Sequence, residues 1–241
     1  MQRLPKVEPI LVFGAHPDDI EFGAGGIIAR ETRSGRKAHF VVTSAGEAAS
    51  SGTARERVTE ARAAADILGA TIEFIELDGD SHLEIRVSHV LKLAQIIRRI
   101  RPATVLTTSV VANQHPDHSR LGQLVRDAAR LARYGGLSDL QKTKPHSIEQ
   151  LFFYAVTPDG EPSDSAPFFI DVSHPEVMAL WTGAMHAHAS QAATRNYAEL
   201  QLTRARLLGA RVGVEYAMAL YSNEPLLFDS ISQLGRGARN F

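Results

Sequence analysis

Residues 10–19 read ILVFGAHPDD. A short apolar run ends in glycine, and a histidine, a proline and two aspartates follow at once. The run reads as a strand, and the polar residues as a loop at its carboxyl end, stiffened by proline. Working outward, residues 24–34 can form a helix closed by Gly35, and residues 39–43 form the next strand. An Ala- and Arg-rich helix over 53–68 stops at Gly69, and residues 71–77 alternate like a strand. Residues 86–101 carry Val87, Val90, Leu91, Leu93, Ala94, Ile97 and Ile100 at helical spacing, and Pro102 ends them. A buried-type strand over 103–107 and an amphipathic helix over 118–133 complete the series. Strand and helix thus alternate four times, which predicts an α/β protein: a Rossmann-like three-layer α/β/α sandwich with a mostly parallel sheet. Such folds bind ligands beyond the carboxyl ends of their strands.

The remainder is less regular. Residues 150–156 and 168–172 look like strands, and 176–188 and 198–208 like helices. Residues 215–221 fit either a late strand or a bent helix. The turn-rich stretches 135–145 and 157–167 are long enough to serve as lids or rims of a site. No internal repeat or low-complexity segment divides the chain, so residues 1–241 are expected to form one domain.

Composition narrows the chemistry. The 241 residues are 44% hydrophobic and 22% charged, with a formal net charge of -1. That balance gives no global attraction to nucleic acid or an anionic membrane. Neither the first nine residues nor any later stretch has the apolar run of a leader or a membrane span, and a cytoplasmic protein is expected. Cysteine is absent. Any metal must therefore be held by histidine and carboxylate.

Those residue types concentrate where the fold expects them. After the first strand comes Ala15-His16-Pro17-Asp18-Asp19, and after the fourth Asn113-Gln114-His115-Pro116-Asp117-His118. In adjacent strands the two loops converge on one cleft. Three protein ligands plus water is the pattern of a catalytic zinc. Successive side chains in a tight loop point apart, so one of Asp18 and Asp19 can ligate while the other faces the water as general base. His118, opening a helix, can ligate while His115 leans over the site to stabilise an oxyanion. These are the parts of a metal-assisted hydrolysis. Taken singly, each loop also has a plain structural reading: Asp-Asp as a helix cap, Asp117 as the cap of the next helix, and a histidine as a solvated residue. Gly23-Ala24-Gly25-Gly26 lacks the spacing of a dinucleotide fingerprint and reads instead as a means of bringing helix and sheet close together.

On these residues the chain resembles the PIG-L/LmbE-like family of zinc N-deacetylases, which act on N-acetylglucosaminyl conjugates. Supporting matches are Thr43-Ser44-Ala45-Gly46-Glu47, Arg57 with Glu60-Ala61, Ala65 to Gly69, and His188-Ala189-Ser190-Gln191. The resemblance implies His16, Asp19 and His118 as ligands of Zn²⁺, with Fe²⁺ equally suited to such donors. It implies Asp18 as general base and His115 as the group that stabilises the oxyanion and protonates the leaving amine. Arg57 and Asp80 fall where relatives contact substrate, Asp80 through a sugar hydroxyl. The expected partner is a small-molecule amino-sugar conjugate, with no nucleic acid and no membrane, in a homo-oligomer. Departures stand beside the matches: His82 replaces a common glycine, and Trp181 takes a position where some relatives have lysine. Trp181 is either core or, if exposed, a stacking platform for sugar. His186 reads as a polar contact on a late helix, whereas His188 matches a family position. The tail Tyr221-Ser222-Asn223-Glu224-Pro225-Leu226 looks most like the branch that deacetylates GlcNAc-malate, and Leu226, Leu227 and Phe228 are either an interface strip or core. An amidase for a larger acyl group, a non-catalytic binding relative and a phosphoesterase are the competing readings.

Overall fold

A computed structural model of the chain describes residues 8–192 and 196–235; residues 1–7, read above for a leader, lie outside that description. Seven strands are described: β1 (Ile10–Gly14), β2 (Ala38–Val42), β3 (Ala70–Phe74), β4 (Thr104–Thr108), β5 (Gln150–Tyr154), β6 (Phe168–Asp171) and β7 (Ala217–Ser222). They form one sheet in the order β3-β2-β1-β4-β5-β7-β6. The first five run parallel, and β7 pairs antiparallel with both β5 and β6. The helices are α1 (Asp19–Arg33), α2 (Ala54–Ile67), α3 (Val87–Ile100), α4 (Pro116–Ala132), α5 (Pro175–Ala187), the single turn α6 (Ala189–Ala192) and α7 (Tyr197–Val212).

Alternation along each strand builds two cores. Ile10 and Val12 of β1, Phe40 of β2 and Phe152 of β5 face one layer, where α1, α2 and α5 pack together. Leu11, Phe13, Val41 and Val105 face the other, against α3 and α4. Both faces are covered, so β1 is buried at every residue, which explains its unbroken apolar run. The same double burial makes β7 ambiguous in sequence. Met218 and Leu220 serve one core while Ala217, Ala219 and Tyr221 serve the other, leaving neither a polar face nor a helical stripe to read. It is a strand.

Local signals set several boundaries. Thr53 accepts the Glu56 N–H at 3.2 Å while Glu56 accepts the Thr53 N–H at 2.7 Å, a reciprocal cap that starts α2. Gly69, at φ +67°, ends it. Helix α4 begins two residues before the sequence expectation, because Pro116 is accommodated at a first-turn position where its missing N–H costs nothing. Helix α1 begins five residues early, at Asp19. Its glycines lower intrinsic propensity and so mask the start, but packing requires them. A Cβ on Gly23 would lie 2.3 Å from the Tyr154 ring, and one on Gly25 would lie 2.7 Å from Trp181 Cδ1. Trp181 is completely buried, and its Nε1 donates to the Glu21 carbonyl at 2.8 Å. It is core, not a stacking platform. Val87, counted above in the apolar stripe, is 71% exposed at the helix start. Leu226, Leu227 and Phe228 are exposed too, so the tail strip lies on the surface. Among the described residues no helix is long and apolar enough to cross a membrane.

The strand order places β1 and β4 side by side, with chain progression running outward from them in opposite directions. The loops leaving their carboxyl ends diverge there and open a crevice.

Gly23→Ala should be costly, because the Tyr154 hydroxyl donates to the Phe13 carbonyl at 2.7 Å and holds the ring against retreat. A loss of about 1–3 kcal/mol is expected, read as a lower denaturation midpoint. Gly136→Ala, where a Cβ meets nothing within 4 Å, is the near-neutral control.

Candidate metal centre

Donor atoms of three residues come together in the crevice between the β1 and β4 loops. His16 Nδ1 lies 3.3 Å from His118 Nε2. His118 Nε2 lies 2.9 Å from Asp19 Oδ1, and His16 Nδ1 lies 3.5 Å from Asp19 Oδ2. Ligands bound tetrahedrally to Zn²⁺ at 2.0–2.1 Å would stand about 3.3 Å apart, so the spacing fits one ion. All three residues are buried. His16 also belongs to two other groups whose donor atoms lie within 4.8 Å of one another, His16-His115-His118 and His16-Asp80-Asp117. The Asp19 set is the one that pairs a carboxylate with two imidazoles, each within 3.5 Å of it.

The surroundings hold each donor in place. Asp19 Oδ2 accepts the Ala15 and His16 N–H groups, both at 2.9 Å. Burial alone would push the Asp19 pKa up, but His118 and His16 hold it well below the ordinary carboxylate range, so it is ionised. On the far side of His16, Nε2 meets Asp80 Oδ1 at 3.2 Å and Asp117 Oδ2 at 3.3 Å. A proton on Nε2 serves these carboxylates and leaves the Nδ1 lone pair facing the metal position, the carboxylate–histidine arrangement typical of metal sites. Burial pulls the His16 pKa down, yet Asp19, Asp117 and Asp80 raise it well above the ordinary value. The cluster therefore has an excess of negative charge around His16, which a divalent cation at Nδ1 would offset.

Asp18 is at the N-cap position of α1, but its side chain caps nothing. Its backbone has φ 118°, a strained conformation for a residue other than glycine, and its Oδ2 accepts from Arg57 Nη2 at 3.0 Å. Burial and the Asp19 charge push Asp18 up to about 6, against His188, Arg57 and His16. That value suits a proton acceptor working near neutrality. His115 is the N-cap of α4: its Nδ1 accepts the Asp117 N–H at 3.3 Å. In the neutral ring the proton is then on Nε2, 3.5 Å from Ser81 Oγ at the cleft. Burial, then the neighbouring His16 and His118, lower the His115 pKa.

Every residue singled out by sequence for this site is in one cleft of about 600 Å³. Two have partners that sequence did not suggest. Arg57 is buried, and its terminal nitrogens donate to the Gly46 and Pro17 carbonyls, each at 2.9 Å, and to Asp18. Asp80 faces His16, and the Ala48 N–H donates to its Oδ2 at 3.3 Å. The reading of Asp117 as a cap is corrected: His115 caps α4, and the Asp117 carboxylate accepts the Ser81 N–H at 2.7 Å and meets His16. Ser81 itself was missed. Its signal is only a residue after Asp80, since the φ of 68° that aims its N–H at Asp117 is a property of the folded loop. His188 does not line the cleft. It is buried behind α1, 3.4 Å from Glu21, while His186 is exposed.

A protein-family model described as PIG-L, GlcNAc-PI de-N-acetylase, matches residues 11–129. Diacetylchitobiose deacetylase of Thermococcus kodakarensis is 30% identical over 202 residues, covering 77% of this chain and 70% of that protein. The conserved protein TT1542 from Thermus thermophilus superposes with a TM-score of 0.80 at 32% identity, over 92% of this chain and 97% of that one. The chain belongs to the PIG-L family. Membership does not by itself fix the reaction, since 4-oxalmesaconate hydratase of Pseudomonas putida is 32% identical over 161 residues, 58% of this chain and 62% of that protein.

Asp117→Asn should keep the fold but weaken divalent-metal affinity by about 10–100-fold, measured by competition with a chromogenic chelator. Unchanged affinity would mean that the His16 contact does not support a metal. A second outcome concerns stability. Burial lowers the His188 pKa, but the contact and charge of Glu21, with Asp18 and Glu60, raise it overall. The pair's contribution is thus complete below about 6.5 and fades as pH climbs through the raised value. The melting-temperature gap between wild type and His188→Gln should accordingly be wider at pH 6 than at pH 9.

Proposed function

We propose that this protein is a metal-dependent hydrolase that removes the N-acetyl group from an N-acetylglucosamine-type amino-sugar conjugate. The observation that carries the reading is the convergence of His16 Nδ1, Asp19 and His118 Nε2 on one point, with Asp18 and His115 in the same cleft. A binding site needs the first three; only a reaction that moves protons uses the other two. The named activity of the Thermococcus relative supports acetyl as the acyl group and an amino sugar as its carrier.

His16, Asp19 and His118 would hold the ion, zinc in this reading. Bound there, a divalent ion acidifies a water and polarises an amide carbonyl. Asp18 accepts the proton of the attacking water, its orientation set by Arg57. The neutral His115 ring donates its Nε2–H as a hydrogen bond toward the amide oxygen as negative charge builds, and the proton taken up by Asp18 passes to the departing amine. Water and amide give acetate and a protonated amine, with Asp18 again ionised and His115 unchanged. Hydration of an organic acid, the reaction named for the Pseudomonas relative, is the second reading. Against it stands the cleft's own charge: Asp18, Asp19 and Asp80 line it beside Arg57.

Purified protein with quantified metal, offered GlcNAc, N,N′-diacetylchitobiose and GlcNAc-malate, should release acetate and free amine in equal amounts. Release should stop on chelation and return with zinc. Asp18→Ala should retain its metal and lose about 10²–10⁴-fold in turnover, whereas His118→Ala should lose the metal. Metal loss in Asp18→Ala would reverse the two aspartate roles.

A further inference from the structure

Ser81 is held in a conformation that its backbone bonds alone do not explain. Its φ is 68°, in the left-handed region where a residue other than glycine carries strain. That turn aims the Ser81 N–H at Asp117 Oδ2, 2.7 Å away. Glycine would make the same bond without strain, so the contact with Asp117 does not account for a serine. The hydroxyl does what glycine cannot. Ser81 lines the cleft, and its Oγ lies between two groups of the site, 3.0 Å from Asp80 Oδ1 and 3.5 Å from His115 Nε2.

Donor and acceptor chemistry sets the direction of these contacts. A carboxylate only accepts, so the Ser81 hydroxyl donates to Asp80 and keeps a lone pair for the His115 Nε2–H. The other ring nitrogen, Nδ1, accepts the Asp117 N–H at 3.3 Å. A closed ring of bonds results: Ser81 N–H to the Asp117 carboxylate, Asp117 N–H to His115 Nδ1, and His115 Nε2–H to the Ser81 hydroxyl. The first two fix where the loop after β3 meets the start of α4. The third acts on the imidazole itself. The His16 ring packs edge-on against His115, with centroids 4.6 Å apart, but packing does not select which nitrogen faces the cleft; hydrogen bonds do. At 3.5 Å the Ser81 contact is long, as bonds to catalytic groups often are before substrate binds. It therefore yields readily to a stronger acceptor, such as an amide oxygen gathering negative charge.

From this geometry we infer that Ser81 is a positioning residue, whose hydroxyl holds the His115 ring with its Nε2–H turned into the cleft for the amide oxygen to take over. The inference rests on the deacetylase reading for the step that His115 serves. It goes beyond that reading in adding a residue that acts on His115 from another loop. The left-handed turn is what lets one residue reach Asp117 with its backbone and His115 with its side chain.

Two variants separate the hydroxyl from the backbone. Ser81→Gly relieves the φ and removes the hydroxyl, whereas Ser81→Ala keeps the Cβ and removes the hydroxyl alone. Each is loaded with zinc and assayed on the acetylated sugar that the wild type turns over best. Both should lose about three- to tenfold in kcat, the worth of one hydrogen bond, with KM within about twofold of wild type. Ser81→Gly should melt no earlier than the wild type, because it gives up a strained turn. An unchanged kcat in either variant, or a change confined to KM, would overturn the inference and leave the deacetylase reading intact. A loss of kcat accompanied by a lower melting temperature in both variants would make the hydroxyl structural and overturn it too. Silence of every acetylated sugar with the wild type would instead sink the deacetylase reading. Nitrogen NMR of the histidine rings in the zinc-loaded protein then decides alone: the His115 Nε2 signal should move in Ser81→Ala, and an unmoved signal overturns the inference.

Discussion

The Asp19 carboxylate holds the site together. One oxygen accepts two N–H groups from the loop after β1 and the other meets His118 on α4, so a single ionised side chain joins the two halves of the crevice. It works beside the contact of His16 with Asp117, which also spans from the β1 loop to the first turn of α4. Burying a carboxylate is costly unless it is hydrogen-bonded and paired, and here it is both. The arrangement is also specific: the N–H groups that fix the carboxylate belong to Ala15 and His16, so the same interaction that orients the acid orients the histidine beside it.

Around that core the charges are layered. Asp80 and Asp117 stand behind His16, on the side away from His118, and each is itself fixed by backbone N–H groups from a different loop. Glu47 extends the layer, its Oε1 accepting the Asp80 N–H at 2.7 Å. Loops after β1, β2, β3 and β4 are thereby linked in one network. Such a network transmits small shifts, since low local dielectric makes each member sensitive to the next. It also divides two adjacent aspartates. Asp19 is drawn down by two histidines, while Asp18, buried next to that charge, is pushed up to about 6. Neighbours in sequence, the two acids differ because the strained turn at Asp18 points one into the cluster and the other toward Arg57.

The sequence carried much of this, and the reasons differ by element. Strand β1 was legible because burial on both faces leaves an unbroken apolar run, and α2 because its Ala- and Arg-rich composition and the Gly69 that ends it are local signals. The metal-facing residues stood out because cysteine is absent and histidine with aspartate recurs at two strand ends. Helix α1 was placed late because glycines that satisfy Tyr154 and Trp181 weaken its local signal. Strand β7 was ambiguous for the opposite reason, a core position on both faces that erases periodicity.

What the sequence by itself determined was the class of fold, the two loops that bear the chemistry and the kinds of ligand available, since these follow from local patterns and composition. Only the tertiary structure decided how those residues are used. It buried Trp181, turned Arg57 inward onto Asp18, set Asp80 and Asp117 against the back of His16 and brought Ser81 to Asp117. Each of these depends on where side chains from distant segments meet. Residues separated by 101 positions, as His16 and Asp117 are, have no local signal in common; the sheet order that makes β1 and β4 neighbours brings them together.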